Sequence, residues 1–167
     1  MSLRSERLDP ERHDVRAFSC GEPSLDSWLR EQAVPATARR TARTWVCVDE
    51  DGLVVGYYAL AAHKVARGDV PSRIGRGGPV EIPAVLLARL VLSQPLRGQG
   101  LGAVLVADAL QRVVDATQTV AARLVVVDAL HEPVARFYES LGFRRLPASL
   151  LLVQEVADIE AALRSPG

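Results

Sequence analysis

The chain has 167 residues and a mass of 18.1 kDa, a size that suits one hydrophobic core and would leave two separate cores marginal. Apolar residues make up 49% and charged residues 24% of the chain, which excludes a disordered or fibrous polypeptide. Twenty Lys plus Arg stand against twenty Asp plus Glu, so no whole-molecule field attracts nucleic acid or anionic membrane, and any such attraction must come from local patches.

The polar start MSLRSERLDPER lacks the apolar core of a signal peptide. No uncharged apolar run reaches the ~18 residues of a membrane span. These features predict a soluble, cytoplasmic protein in which residues 1–167 form a single domain. Pro23 and Ser24 can start a helix carrying Leu25, Trp28 and Leu29 at i, i+3, i+4, which Pro35 should end or kink. Thr44 to Asp49 and Leu53 to Val65 are rich in β-branched and aromatic residues and flank Glu50-Asp51-Gly52, so they predict a β-hairpin.

From Arg67 to Pro83 glycines and prolines crowd together, which predicts a loop inside the domain. Ala84 to Leu92 is a nearly continuous apolar run, expected of a central strand covered on both faces. From Gln99 to about Thr117 a helix is predicted, with Asp108, Gln111, Arg112 and Asp115 marking one wet stripe. Arg123 to Asp128 reads as a buried strand. A helix with the apolar stripe Val134, Phe137, Tyr138 and Leu141 follows, closed by Gly142. Leu150 to Val156 returns as a strand before a short amphipathic tail. The element order is mixed α and β.

Cys20 and Cys47 form no C-x-x-C pair, and His13, His63 and His131 never fall at i, i+4, so neither a metal site nor a disulfide framework is expected. Both cysteines read as small buried hydrophobes.

Chemistry concentrates in Arg97-Gly98-Gln99-Gly100-Leu101-Gly102, between the central strand and the long helix. Glycines let the backbone turn there, and successive N–H groups at a helix N-terminus can all face one anion, for which a diphosphate is the natural ligand. A P-loop would need Gly-Lys followed by Ser or Thr, which is absent. The dinucleotide pattern is formally met by Gly98, Gly100 and Ala103, but it lies past mid-chain and lacks the correctly spaced acid. By themselves the glycines are equally consistent with a tight strand-to-helix turn.

The pattern R-x-x-G-x-G after an apolar strand, followed later by Phe137-Tyr138-Glu139-Ser140-Leu141-Gly142-Phe143, resembles the acetyl-CoA-dependent N-acetyltransferase (GNAT) superfamily. Phe18-Ser19-Cys20-Gly21 leading to Leu25 and Trp28-Leu29, then Gly56-Tyr57-Tyr58-Ala59-Leu60, then Leu87-Ala88-Arg89-Leu90, look most like the toxin branch that acetylates aminoacyl-tRNA. The resemblance implies an α/β (α+β) fold with a mixed central sheet flanked by helices. It also implies acetyl-CoA held along Leu90, Val91 and Leu92 and on Arg97, Gly98, Gln99, Gly100, Leu101 and Gly102, the Leu92 N–H as oxyanion donor, and Tyr138 as the acid for the departing thiolate. Many relatives carry an asparagine where this chain has His131, so that residue's cofactor contact is not carried over. Relatives of the branch are held inactive by a small ribbon-helix-helix antitoxin, which the resemblance implies as a partner, and a homodimer is compatible with it.

No general base is evident; His63 and Glu81 fall near the right strands but read equally well as ordinary surface or loop residues. A free α-amine, with a pKa of about 8, lies roughly 2.5 units below a lysine side chain and needs a base less. Charge is uneven: from Arg30 to Arg97 ten Lys plus Arg face six acids. Arg39, Arg40 and Arg43 flank the end of the N-terminal helix, and Lys64, Arg67, Arg73 and Arg76 flank the Gly/Pro loop, so both clusters are expected to border an amine-binding mouth and hold RNA phosphates. The same arginines are equally compatible with a solvated face. Two alternatives stay open: a transferase for a small amine, a protein N-terminus or a lysine, and a non-catalytic CoA-binding module.

Overall fold

A computed structural model describes residues 3–165. The first strand, β1 (Arg4–Arg7), is followed by α1 (Pro23–Ser27), a wide turn of π-helix (Trp28–Gln32) and α2 (Ala33–Ala38). Pro35 explains the wide turn. It has no N–H to give the Glu31 carbonyl and its ring would strike that oxygen, so the helix opens by one residue and the Ala33 N–H bonds the Trp28 carbonyl instead. The proline thus kinks the helix rather than ending it.

The expected hairpin is β2 (Arg43–Val48) and β3 (Val54–Ala66), paired antiparallel from Arg43 opposite Leu60 to Val48 opposite Val54. Gly52, at φ +81°, supplies the left-handed residue of its turn. The stretch expected to be a loop is more ordered than its composition suggests: α3 (Ser72–Gly75) lies within it, and β4 (Glu81–Leu92) begins before Pro83. A 16-residue helix α4 (Leu101–Ala116), β5 (Leu124–Asp128), α5 (Glu132–Ser140), β6 (Arg144–Arg145), β7 (Leu151–Glu155) and α6 (Val156–Arg164) complete the chain.

The seven strands form one sheet in the order β1-β2-β3-β4-β5-β7-β6. β4 is central, as its apolar run predicts, and its pairing with β5 is parallel through Ala84 to Leu86. Its burial is interrupted rather than continuous: Ile82, Ala84, Leu87 and Leu92 are buried while Val85, Leu86, Leu90 and Val91 are half-buried. The edge strands β1 and β6 carry no sequence signal, being short and charged, a composition that protects sheet edges from pairing with other chains.

The chain divides into two compact units, Met1–Ala61 with Ala88–Asp108, and Ala62–Leu87 with Ala109–Gly167. In the first, Phe18, Leu25, Leu29, Val46 and Tyr57 form a buried cluster. In the second, Val65, Ile74, Ile82, Leu124 and Val126 do so. Cys20 and Cys47 are free and buried. Asp108 does not share the wet stripe expected of it: it accepts a 2.7 Å hydrogen bond from the hydroxyl of the wholly buried Tyr58, whereas Gln111 and Asp115 are exposed. A buried phenol needs an acceptor, and the carboxylate facing the sheet provides one.

Candidate active site

The glycine loop lies in the first unit, between a short turn at Gln94–Leu96 and the start of α4. Gly98 and Gly100 have φ of +77° and +76°, a region that L side chains avoid. A Cβ built on either would meet nothing within 4 Å. Their conformation is therefore needed by the turn, and the space beside them is open. The side chains around them brace the loop: the Arg97 guanidinium donates to the Cys20 carbonyl, and the Gln99 amide donates to the Pro95 carbonyl at 3.1 Å. What remains for a ligand is the run of backbone N–H groups leading into α4, beside the positive end of its dipole.

Upstream in the same unit, the Ser93 N–H bonds the Val55 carbonyl of β3 at 2.8 Å. Successive N–H groups of an extended strand point to opposite edges, so the Leu92 N–H points away from β3. Gly56 permits the close approach here, since a Cβ on it would stand 3.0 Å from both Leu92 Cδ2 and the Val91 carbonyl. One feature of β4 has no sequence signature. Arg89 lies at φ +56° within the strand, a conformation that costs a non-glycine residue about 1–3 kcal/mol.

In the second unit, Tyr138 is buried on α5, with its ring edge-on to Phe137 at 5.2 Å and to Phe143 at 5.4 Å. Burial pushes its phenol well above the ordinary tyrosine range, so it stays protonated. Its hydroxyl makes no hydrogen bond among the described residues. The other buried tyrosines differ: Tyr57 donates to the Leu25 carbonyl at 2.7 Å and Tyr58 to Asp108. A protonated donor with no internal partner is suited to giving a proton to something bound. His131 is exposed and precedes α5 as its N-cap residue, without a side-chain cap bond.

Residues 40–145 match the family described as the acetyltransferase (GNAT) domain. The chain belongs to the GNAT acetyltransferase family. This acetyltransferase is 41% identical over 138 residues to the tRNA-acetylating toxin of Mycobacterium tuberculosis (strain ATCC 25618 / H37Rv), covering 83% of this chain and 82% of that protein. It is also similar to two solved structures. AtaT complexed with acetyl-methionyl-tRNAfMet is 31% identical, with a TM-score of 0.88 and coverage of 97% of this chain and 99% of that one. A mutant AtaT toxin bound to the C-terminus of the antitoxin AtaR and acetyl-CoA is 30% identical, with a TM-score of 0.83 and coverage of 98% and 99%.

The basic residues of the acetyltransferase fall on both units. In the first, Arg39 and Arg40 are exposed just beyond α2, and Arg43 is half-buried with its guanidinium on the Thr37 carbonyl at 3.5 Å. In the second, Arg73 and Arg76 are exposed on and just after α3, Arg67 donates to the Gly78 carbonyl at 3.0 Å, and Lys64 pairs with Glu81 at 3.1 Å. Arg123 joins this group by donating to the Arg76 carbonyl at 3.4 Å, a neighbour that sequence distance concealed. Glu81 is exposed, and its ion pair with Lys64 lies at the surface. His63 is exposed and lines, with Lys64, a cavity of about 530 Å³ in the second unit. No helix of the described residues is long and apolar enough to cross a membrane.

Proposed function

We propose that the two units work as one N-acetyltransferase domain that moves acetyl from acetyl-CoA to the α-amine of an aminoacyl-tRNA. The observation that carries the reading is the 41% identity, over 83% of the chain, to a protein named as a tRNA-acetylating toxin. The open glycine loop fits the cofactor, because a Cβ at Gly98 or Gly100 would meet nothing within 4 Å and the loop leads directly into the N-terminus of α4.

Acetyl-CoA supplies the acetyl group as a thioester when bound. The N–H groups of Gly98 to Gly102 hold its pyrophosphate, with Arg97 and Gln99 bracing the turn, and Leu90 to Leu92 lie along the pantetheine arm. The Leu92 N–H, free of β3, donates to the thioester oxygen as negative charge develops on it. The Tyr138 hydroxyl gives its proton to the departing sulfur. The amine loses its own proton to water, which a nucleophile with a pKa of about 8 permits without a dedicated base. Arg39, Arg40, Arg43, Lys64, Arg67, Arg73 and Arg76 contact RNA phosphates.

The product, an N-acetylated charged tRNA, has no amine for peptide elongation, so the protein acts as a toxin where translation runs, in the cytoplasm. Its neutralising partner is an antitoxin, as in the related AtaT–AtaR complex, of the ribbon-helix-helix class. The deciding assay incubates the protein with acetyl-CoA and charged tRNA, releases the amino acids with mild base and weighs them. An acetyl group gained by an amino acid supports the reading. Acetylation of free polyamines or peptides instead would make the protein a small-amine or protein transferase.

A further inference from the structure

Arg89 combines three properties that a surface arginine seldom shares. Its backbone is held at φ +56° in the middle of β4, a conformation that the surrounding structure must enforce. Its guanidinium carbon sits 4.4 Å from the centroid of the Trp28 ring. It is exposed, and no carboxylate pairs with it among the described residues. The ring beneath it is also fixed. Trp28 stacks on Tyr57 with centroids 6.0 Å apart and planes 7° from parallel, and Tyr57 is wholly buried, anchored through its hydroxyl to Leu25 and edge-on to Phe18 at 5.7 Å. Trp28 is the residue at which the helix widens into its π turn. The result is a three-layer stack, guanidinium on indole on phenol, built within the first unit.

Such a stack holds a planar cation still and covers one of its faces, while the N–H edge remains open to solvent. A guanidinium in that state is matched to a phosphodiester, which it can grip with two parallel hydrogen bonds. Its place along the strand sets which phosphate. An extended chain advances about 3.3 Å per residue, so Arg89 lies on the order of 10 Å from Leu92. That is the scale of a single nucleotide.

We propose that the Arg89–Trp28 stack positions the acceptor by binding the phosphodiester of its terminal nucleotide, so that the aminoacyl group reaches Leu92. The proposal rests on the reading of the substrate as aminoacyl-tRNA. It explains why the strain is kept: glycine at this position would relax the backbone and abolish the cation.

The test is Arg89→Gly and Arg89→Lys in the full chain, assayed with acetyl-CoA and charged total tRNA across a salt series. For Arg89→Gly the melting temperature should hold or rise, and the acetyl-CoA Kd from calorimetry should stay within about twofold. KM for charged tRNA should rise by roughly tenfold or more with kcat little changed, and the log–log salt slope should drop by about one. Arg89→Lys, which keeps the charge and loses the fork, should fall between. A fall in kcat with KM unchanged, or an unaltered salt slope, overturns the proposal and makes Arg89 a brace for the strand. A lower melting temperature in both variants, with KM unchanged, does the same. If the parent protein acetylates no charged tRNA at all, the substrate reading falls first and this inference with it.

Discussion

The N–H of Phe143 bonds the carbonyl of Tyr138 at 3.1 Å while the two rings meet edge-on at 5.4 Å. Together with the Gly142 N–H on the Glu139 carbonyl and the φ of +100° at Gly142, this is a complete helix stop in which the third residue from the end and the residue after the glycine make the hydrophobic contact. The same residues that end α5 therefore fix the ring of Tyr138. In the run Phe137 to Phe143, glycine turns the chain and phenylalanine clamps the tyrosine, leaving the hydroxyl as its one uncommitted polar group.

Removing only that hydroxyl separates catalysis from packing. Tyr138→Phe keeps both ring contacts, so thermal melting should move little while kcat falls by roughly 10²-fold, the usual scale of general acid catalysis. Gly142→Ala should do the reverse of the first half: the added Cβ is strained at φ +100° and comes 3.0 Å from the Gln154 amide nitrogen, so melting should drop. Unchanged turnover in Tyr138→Phe, measured beside its melting curve, would return Tyr138 to a purely structural role.

Stability should decline at alkaline pH. Burial raises the phenol pKa of both Tyr138 and Tyr57 in the folded protein, whereas in the unfolded chain tyrosine titrates near 10. Below that pH both states hold the proton and nothing is lost. Above it the unfolded chain releases protons that the folded chain keeps, so unfolding free energy falls as pH rises. Urea denaturation at a series of pH values should show this fall, and it should be shallower in Tyr138→Phe.

Two glycines with similar backbone angles give a controlled test of the loop. Gly52 and Gly100 have φ of +81° and +76°, and neither would meet an atom within 4 Å if given a Cβ. Gly52→Asp and Gly100→Asp should therefore each lose on the order of 1 kcal/mol of stability from backbone strain. Only Gly100→Asp should weaken acetyl-CoA binding, by more than tenfold in calorimetry, because its carboxylate enters the space beside the N–H groups and repels a diphosphate. Equal affinities in the two variants would show that the cofactor does not use this loop.

Arg40 ends α2 in the position where helices prefer glycine. Its φ is +60°, its N–H bonds the Thr37 carbonyl at 3.2 Å, and the Thr41 N–H bonds the Ala36 carbonyl at 3.0 Å. Arg40→Gly should raise stability by up to about 1 kcal/mol by relieving the left-handed strain. The same change should weaken charged-tRNA binding and cut the log–log salt slope by about one if Arg40 contacts a phosphate. Filter binding across a salt series checks the second effect and chemical denaturation the first.

Much of this architecture follows from local rules that a sequence displays. The hairpin around Gly52, the apolar run of β4, the glycine loop before α4 and the stop at Gly142 each depend on neighbours within a few residues, so composition and periodicity reveal them. Pro35 announced a disturbance in its helix for the same reason, since a missing N–H is a covalent fact. The edge strands β1 and β6 were hidden because their pairing is decided by partners distant in the chain, and short charged segments carry no period of their own. Asp108 shows the same limit at a single residue: its spacing along α4 matches an exposed stripe, yet a buried phenol fifty positions away turns it into an acceptor. Arg89 lies furthest from what sequence can tell. Arginine has no preference for positive φ, and the stack of Arg89, Trp28 and Tyr57 draws on a strand, a helix and a second strand, so only tertiary packing can assemble it and hold its backbone strained.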